Sequence, residues 1–542
     1  MRIEANLVDI RNKKIIPSAL QIKNGFIDSI ESIDKKCSTY ILCGFVDSHI
    51  HIESSMLIPS EFARVAVTHG TIATVSDPHE IANVLGIKGV DFMINNAKQT
   101  PFKIYFGASP CVPATPFETN GATLGVKEIE ELLQRDDIYY LSEVMNFPGV
   151  IHDDADILAK IALAKKFNKP IDGHSPGLMG DDLSKYIHAG VETDHEAFMY
   201  KEAKEKLEKG MKIQIREGSA AKNYDELHPL IDGYYENMMF CSDDKHPNDF
   251  IKGHINELVK RAIKDGHNLF NVLQMASLNP IEHYKLDVGS LRVGDSADFI
   301  EVTDLEEFEL IRTFIGGKPV YENGISLITS VAQKPINNFN IIKKDVSDFI
   351  FHEKCNTYRV ISAIQNQLIT HELDTKLNIK DKVLQPDIKN DILIITVVNR
   401  YKNSPPALSF VHGFGLKEGA IASSIAHDSH NIIAVGCDVQ SITQAVNAII
   451  ETEGGVCCVD ANQNIKHLPL SFAGLMSHED AYLVAKKYDK IDKYTKEVLK
   501  SSLEAPFMTL SFMALLVISD IKLSDKGLFD AKAFHFIQEC KV

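Results

Sequence analysis

The sequence predicts an α/β protein: a (β/α)8 barrel of the TIM-barrel type, a small β-sandwich built from both of its flanks, and a C-terminal α+β domain. Three observations carry this expectation. Between residues 44 and 287, short apolar runs alternate with helical stretches, the pattern of repeated βα units. Strand-rich segments of similar texture flank that region. From residue 336 onward the alternation gives way to longer strands and helices. The expected boundaries are therefore 1–43 and 288–335 for the two parts of the sandwich, 44–287 for the barrel and 336–542 for the last domain.

In the first flank, Leu7–Ile10 reads as a strand, and Ala19–Lys23 turns at Asn24-Gly25 into Phe26–Ile30. Asn-Gly between alternating runs is a strong hairpin signal, because both turn residues tolerate positive φ. The second flank shows Gly289–Asp295, Asp298–Val302 and, after Gly316-Gly317, Lys318–Tyr321. Thr71–Val75, Ile104–Phe106 and Met211–Ile215 are strand candidates of the barrel, with helices over Lys127–Leu133 and Ile157–Lys165. An open doubly wound sheet is the competing arrangement, but no GxGxxG follows the first strand. In the last domain, Tyr358–Ile364 and Ile392–Val398 read as strands, and Ser441–Glu453 and His478–Ser501 as helices.

Composition narrows the function. The chain has 542 residues, 44% of them hydrophobic, enough for several packed cores. Lys and Arg number 57 against 74 Asp and Glu, a formal charge of −17, which argues against nucleic acid as a partner. The longest apolar run, Ala505–Ile518, is too short to span a bilayer, so no membrane partner is expected. The start, MRIEANLVDIRNKK, lacks the apolar core of a signal peptide. The nine cysteines form no CxxC pair and suggest neither a disulfide framework nor a thiolate zinc cluster. A reducing cytoplasm is the resulting expectation, with a homo-oligomer, commonly a dimer, for an enzyme of this size.

The chemistry concentrates in the first half of the chain. His49 and His51 lie two residues apart in GFVDSHIHIE, so in a strand both rings face one side. At the carboxyl end of a barrel strand they point into the mouth where barrel sites lie. Alone, the pair reads more readily as two polar strand-end histidines. It is joined, however, by Glu143 in LSEVMNF, His174 in IDGHSP, His195 in ETDHE and Asp243 in FCSDDKH. Each follows a strand-like stretch and precedes helix-forming sequence. Four histidines and two carboxylates make a two-metal site, with Glu143 between the ions. Such a site needs a carboxylate to move the proton of an activated water. Asp243 fits that role, and Glu196 fits protonation of a ring nitrogen of the substrate. The bland alternatives are a loop-capping Asp and a surface Glu.

These residues, in this order, resemble the amidohydrolase superfamily. The longer segments HIHIESSML, SDPHEIANV, MNFPGV, REGSAA and GAIASSIAHDSHN are similar to its bacterial adenine deaminase family, over nearly the whole chain. The resemblance implies hydroxide attack on C6 of adenine, yielding hypoxanthine and ammonia in purine salvage. It also implies a binuclear divalent site, with manganese first and iron or zinc admitted by the same N/O donors. The fourth-strand ligand is Glu143, so no carboxylated lysine is required. Ser142 and Ser175 stand where glycine and alanine are more usual. Substrate contacts are expected from Asp77, His79, Asn146, His427 and His430. Asp77-Pro78 reads equally well as a helix start. The loop His427–Asn431 reads as a lid, a further metal site or an Asx-stabilised turn. Rival functions are another cyclic amidohydrolase or purine deaminase on the same barrel, and a catalytically dead scaffold.

Overall fold

The computed structural model describes residues 1–365 and 367–541. Eight parallel strands carry the functional residues: β1 (Phe45–Ile50), β2 (Thr71–Ser76), β3 (Lys103–Ala108), β4 (Ile138–Val144), β5 (Ile171–Gly173), β6 (Thr193–Asp194), β7 (Lys212–Arg216) and β8 (Met238–Cys241). β1 to β5 form one parallel sheet in sequence order, and β6 to β8 form another. β1, β2 and β8 are buried at every position, as strands covered on both faces must be. Helices follow the strands, among them Pro59–Ala66, Ile87–Ala97, Val126–Leu133 and Ala155–Lys166.

Hydrogen bonds link the two sheets at both margins. The Glu192 amide, just before β6, donates to the Ile171 carbonyl at 2.9 Å, and the Asp243 amide, just after β8, donates to the His49 carbonyl at 3.0 Å. Asp47 reinforces the second margin. Its carboxylate accepts from the Ser242 amide at 3.1 Å and lies 2.8 Å from His254 Nε2. The bonds beside His49 and Asp243 therefore fix two functional side chains against each other.

The flanking segments meet in one sheet. Its strand order is Ile325–Ser326, Lys318–Glu322, Leu310–Ile315, Phe299–Val302, Tyr40–Cys43, Arg2–Asp9, Lys14–Lys23 and Phe26–Ser32. Hydrogen bonding runs unbroken across all eight, so the small sandwich expected from the flanks takes the form of one continuous sheet. Asn24 and Gly25 both adopt positive φ (53° and 88°), the conformation that the hairpin signal requires.

The last part of the chain builds a second eight-stranded sheet, with Ile392–Val398 in its interior. Helix Val439–Glu451 lays Ile442, Val446, Ile449 and Ile450 on this sheet. Their spacing of three and four residues gives one apolar stripe. Helix Ala481–Glu497 packs toward the parallel-strand region, where the Tyr488 hydroxyl lies 2.7 Å from His246 Nδ1. The apolar run Ala505–Ile518 is broken into helix Pro506–Phe512 and a following turn. No helix among the described residues is long and apolar enough to cross a membrane.

One expectation is corrected. Cys355 and Cys540 form a disulfide, although the scattered thiols suggest no cross-link. They lie 185 residues apart in sequence, so spacing carries no sign of the pairing. An antiparallel bridge between Tyr358 and Cys540 brings the chain end alongside. Of the other seven cysteines, six are buried.

A buried charge cluster braces the strands that bear His174 and His195. Lys206, on helix Tyr200–Glu208, donates to the Ser175 carbonyl at 2.7 Å, to Asp194 at 2.9 Å and to Glu202 at 2.7 Å. Burial disfavours the Asp194 carboxylate, but Lys206 outweighs it and brings the group down to about 2. Lys206→Met is expected to cost about 3–5 kcal/mol, because two buried carboxylates lose their counter-charge. Because Asp194 titrates lower folded than unfolded, its contribution is complete above about pH 4 and is lost as pH falls toward 2. Denaturant unfolding at pH 7 and pH 3 checks both: the gap between wild type and variant should narrow at pH 3.

Candidate metal centre

The strand ends bring all six expected ligands together in a buried cluster. His49 Nε2 lies 3.3 Å from His51 Nε2, and these atoms lie 3.5 and 3.2 Å from Asp243 Oδ1. Glu143, near the end of β4, faces two ways. Its Oε1 is 3.4 Å from His51 Nε2, while its Oε2 is 2.9 Å from His174 Nδ1 and 3.2 Å from His195 Nε2. The backbone explains why these side chains meet. His49 and His51 project to one side by strand alternation, and Asp243 takes a left-handed φ of 50°, just after β8.

The donor set fits divalent cations. Bonds of about 2.1 Å to a tetrahedral ion place neighbouring donors roughly 3.0–3.5 Å apart, which is the spacing around Asp243 and around Glu143. Groups His49–His195–Asp243, Glu143–His174–His195 and His51–Asp77–His79–Glu143 each offer at least three such donors. Nitrogen and carboxylate donors without thiolate suit manganese, iron and zinc alike. His51 Nδ1 lies 3.1 Å from the Asp77 carbonyl; donating there leaves Nε2 as the free donor at the centre.

Arg216, the last residue of β7, grips the two carboxylates expected to move protons. Its Nη1 donates to Asp243 Oδ2 at 2.8 Å and to Glu196, and its Nη2 donates to Glu196 Oε2 at 3.2 Å. Burial opposes ionisation of Asp243, but Arg216 and then His49 and His51 hold it well below the usual carboxylate range. The same balance, with Arg216 foremost and then His174 and His195, lowers Glu196. Arg216 thus favours the charged form of both carboxylates. Glu196 Oε1 lies 3.7 Å from His174 Nδ1 and 3.8 Å from His195 Nε2.

The remaining expected contacts divide. Asp77 and His79 are in the cluster: His79 Nδ1 is 3.3 Å from Glu143 and 3.4 Å from Asp77, which also accepts from the Ser109 hydroxyl at 2.5 Å. His427 and His430 reach it from the C-terminal sheet, His427 Nδ1 lying 2.7 Å from Glu80 and His430 Nε2 against its other oxygen. The loop His427–Asn431 is thus in the site. Asn146 is placed differently. It is half-buried at the start of helix Phe147–Ile151 and caps it, its Oδ1 accepting from the Gly149 amide at 3.0 Å. Its neighbour Met145 lines the cavity instead. Glu53 is buried behind the ligands and accepts from the Ile81 amide at 3.2 Å.

Sequence reading missed Glu80, Arg216, Asp428 and the cover. Leu368, Phe512, Leu515 and Ile518 form an apolar cover over one side of the cavity. Phe512 stacks on His427 with ring centroids 4.6 Å apart.

A buried, strand-end cluster of nitrogen and carboxylate donors defines a metal-dependent hydrolase, and the chain belongs to the amidohydrolase family, whose model matches residues 40–320. The model of the adenine deaminase C-terminal domain matches residues 367–535. Adenine deaminases of Sulfurovum sp. (59% identity, covering 100% of both chains), Borreliella burgdorferi (51%, 99% of both) and Methanosarcina mazei (47%, 98% of both) are similar along their whole length. The chain therefore belongs, within the amidohydrolases, to the adenine deaminases.

Proposed function

We propose that the protein hydrolyses adenine at C6, releasing ammonia and leaving hypoxanthine. The observation that carries this reading is the cluster in which Glu143 faces two sets of histidines while Asp243 and Glu196 share Arg216. His49, His51 and Asp243 would hold one divalent ion and His174 and His195 the other, with Glu143 between them. When bound, the two ions supply Lewis-acid assistance that makes a water nucleophilic near neutral pH. Asp243, 3.2–3.5 Å from the paired histidines, accepts the first proton of the attacking water and passes it to the amino group, which leaves as ammonia. Glu196 takes the second proton from the hydroxyl added at C6 and delivers it to the neighbouring ring nitrogen. Arg216 holds both carboxylates in their charged form and fixes their separation. His51 is oriented by the Asp77 carbonyl, and the apolar cover keeps bulk water out.

The wider reading has four parts. The eight parallel strands form one closed (β/α)8 barrel over 44–287. Residues 1–43 and 288–335 form a single flanking unit, and 336–542 form a third. Manganese is the working metal. The chain acts as a cytoplasmic homodimer in purine salvage. The hydrogen bonds at both margins of the two parallel sheets support the first part.

One experiment tests the activity. Manganese-reconstituted protein is incubated with adenine, guanine, adenosine and cytosine, and ammonia is measured. Release from adenine alone is expected, and it should disappear after dialysis against a chelator and return with manganese. Metal-loaded protein that leaves adenine untouched would refute the reading, and faster release from guanine would favour another purine deaminase.

A further inference from the structure

The cavity has three walls. One is the metal cluster, and a second is the apolar cover. The third is made by Glu80, His427 and Asp428, drawn from the segment after β2 and from the C-terminal sheet. On this wall Glu80 is ion-paired, with His427 2.7 Å from one oxygen and His430 against the other, although neither oxygen makes a well-formed hydrogen bond. Asp428 has no such close pairing. It is 2% exposed, and its Oδ2 too has no hydrogen-bond partner among the described residues. The nearest cationic atoms to its Oδ1 are His79 Nε2 and His427 Nδ1, both at 3.8 Å, beyond hydrogen-bond reach. A buried carboxylate oxygen left without a donor is costly unless a ligand supplies one.

The chemistry of the ligand says which donor that is. Adenine offers hydrogen-bond donors at only two places: the exocyclic amino group and one ring N–H of its five-membered ring. N1, N3 and the other imidazole nitrogen are acceptors. The amino group is the reacting end and must face Asp243 and Glu196. A carboxylate on the opposite wall can then meet only the imidazole-ring N–H. His79 stands between the two walls, its Nδ1 3.3 Å from Glu143 and its Nε2 3.3 Å from Glu80 and 3.8 Å from Asp428.

We propose that Asp428 is the subsite that reads the five-ring N–H of a free purine base and thereby rejects nucleosides. In a nucleoside this nitrogen carries the sugar and has no hydrogen to give. The inference rests on the adenine-hydrolysing reading above and adds to it a specificity residue in the C-terminal part of the chain. That part thereby gains a direct role in recognition, in which Phe512, stacked on His427, covers the ring while Asp428 tests its edge.

The test compares kcat/KM for adenine and 9-methyladenine in manganese-loaded wild type, Asp428→Asn and Asp428→Leu, with metal content measured in each. Wild type should prefer adenine by about 10⁴-fold or more, as sites built around a substrate N–H do. Asp428→Leu should keep its metal, lose about 10²-fold on adenine and bring the two substrates to within about tenfold. Asp428→Asn, which retains an acceptor, should fall between them and stands in if the Leu variant does not fold. Leucine fills the space of aspartate, so a purely steric filter would keep the full discrimination in that variant, and that outcome would overturn the proposal. Equal use of both substrates by wild type would overturn it too. Absence of any ammonia from adenine in wild type would strike the deaminase reading instead.

Discussion

Asp243→Asn is expected to lower kcat on adenine by about 10³-fold while the metal content stays near that of wild type. The size follows from removing a positioned base, which is worth roughly 10²–10⁴ in rate. Retention of metal follows from the geometry. Asparagine keeps an oxygen donor where Asp243 Oδ1 faces His49 and His51 at 3.5 and 3.2 Å. It also accepts the left-handed backbone (φ 50°) that places this residue. The amide hydrogen bond to the His49 carbonyl is untouched. What is lost is the negative charge that Arg216 stabilises and the capacity to take a proton. Steady-state kinetics with parallel elemental analysis separates the two effects. Near-wild-type turnover would remove Asp243 as the base, and loss of metal would show that its charge, rather than its oxygen, holds the ion.

The six candidate ligands are legible in the sequence because a single local rule governs each: a polar residue at the carboxyl end of an apolar strand, followed by helix-forming sequence. His49 and His51 add the period of two, which needs no tertiary knowledge. Their partners are not legible, because their meaning depends on what lies across the cavity. Glu80 in the first turn of helix His79–Leu85 reads as an ordinary acid near a helix N-terminus. Arg216 ends a strand like any other cation until Glu196 and Asp243 are seen on either side of it. The run Ala505–Ile518 looks like generic core, and only its packing shows that Phe512, Leu515 and Ile518 line the site. Asn146 misleads in the opposite direction, since Asn is as good a helix cap as a base-binding residue, and here capping wins. The same limit hides Cys355–Cys540, a pairing set by the bridge at Tyr358.

Glu143→Gln should have the largest effect of all. The carboxylate uses both oxygens, Oε1 toward His51 and Oε2 toward His174 and His195. Burial opposes its ionisation, but His174, His195 and His51 together hold it well below the usual carboxylate range, so the native group is an anion serving two sides. Glutamine keeps one oxygen and turns an NH2 donor toward the other set of histidines, where a cation would meet a positive dipole. Metal content should therefore fall from two ions per chain to one or fewer. Losing the Lewis-acid assistance of an ion, several kcal/mol, corresponds to a fall in kcat/KM of about 10⁴-fold or more at ~1.4 kcal/mol per decade. The stabilisation that bound metal lends to the folded state should shrink as well, so added manganese should raise the melting temperature of the variant less than that of wild type. A variant that still binds two ions, with an undiminished manganese-dependent shift, would show that Glu143 does not join the two halves of the centre.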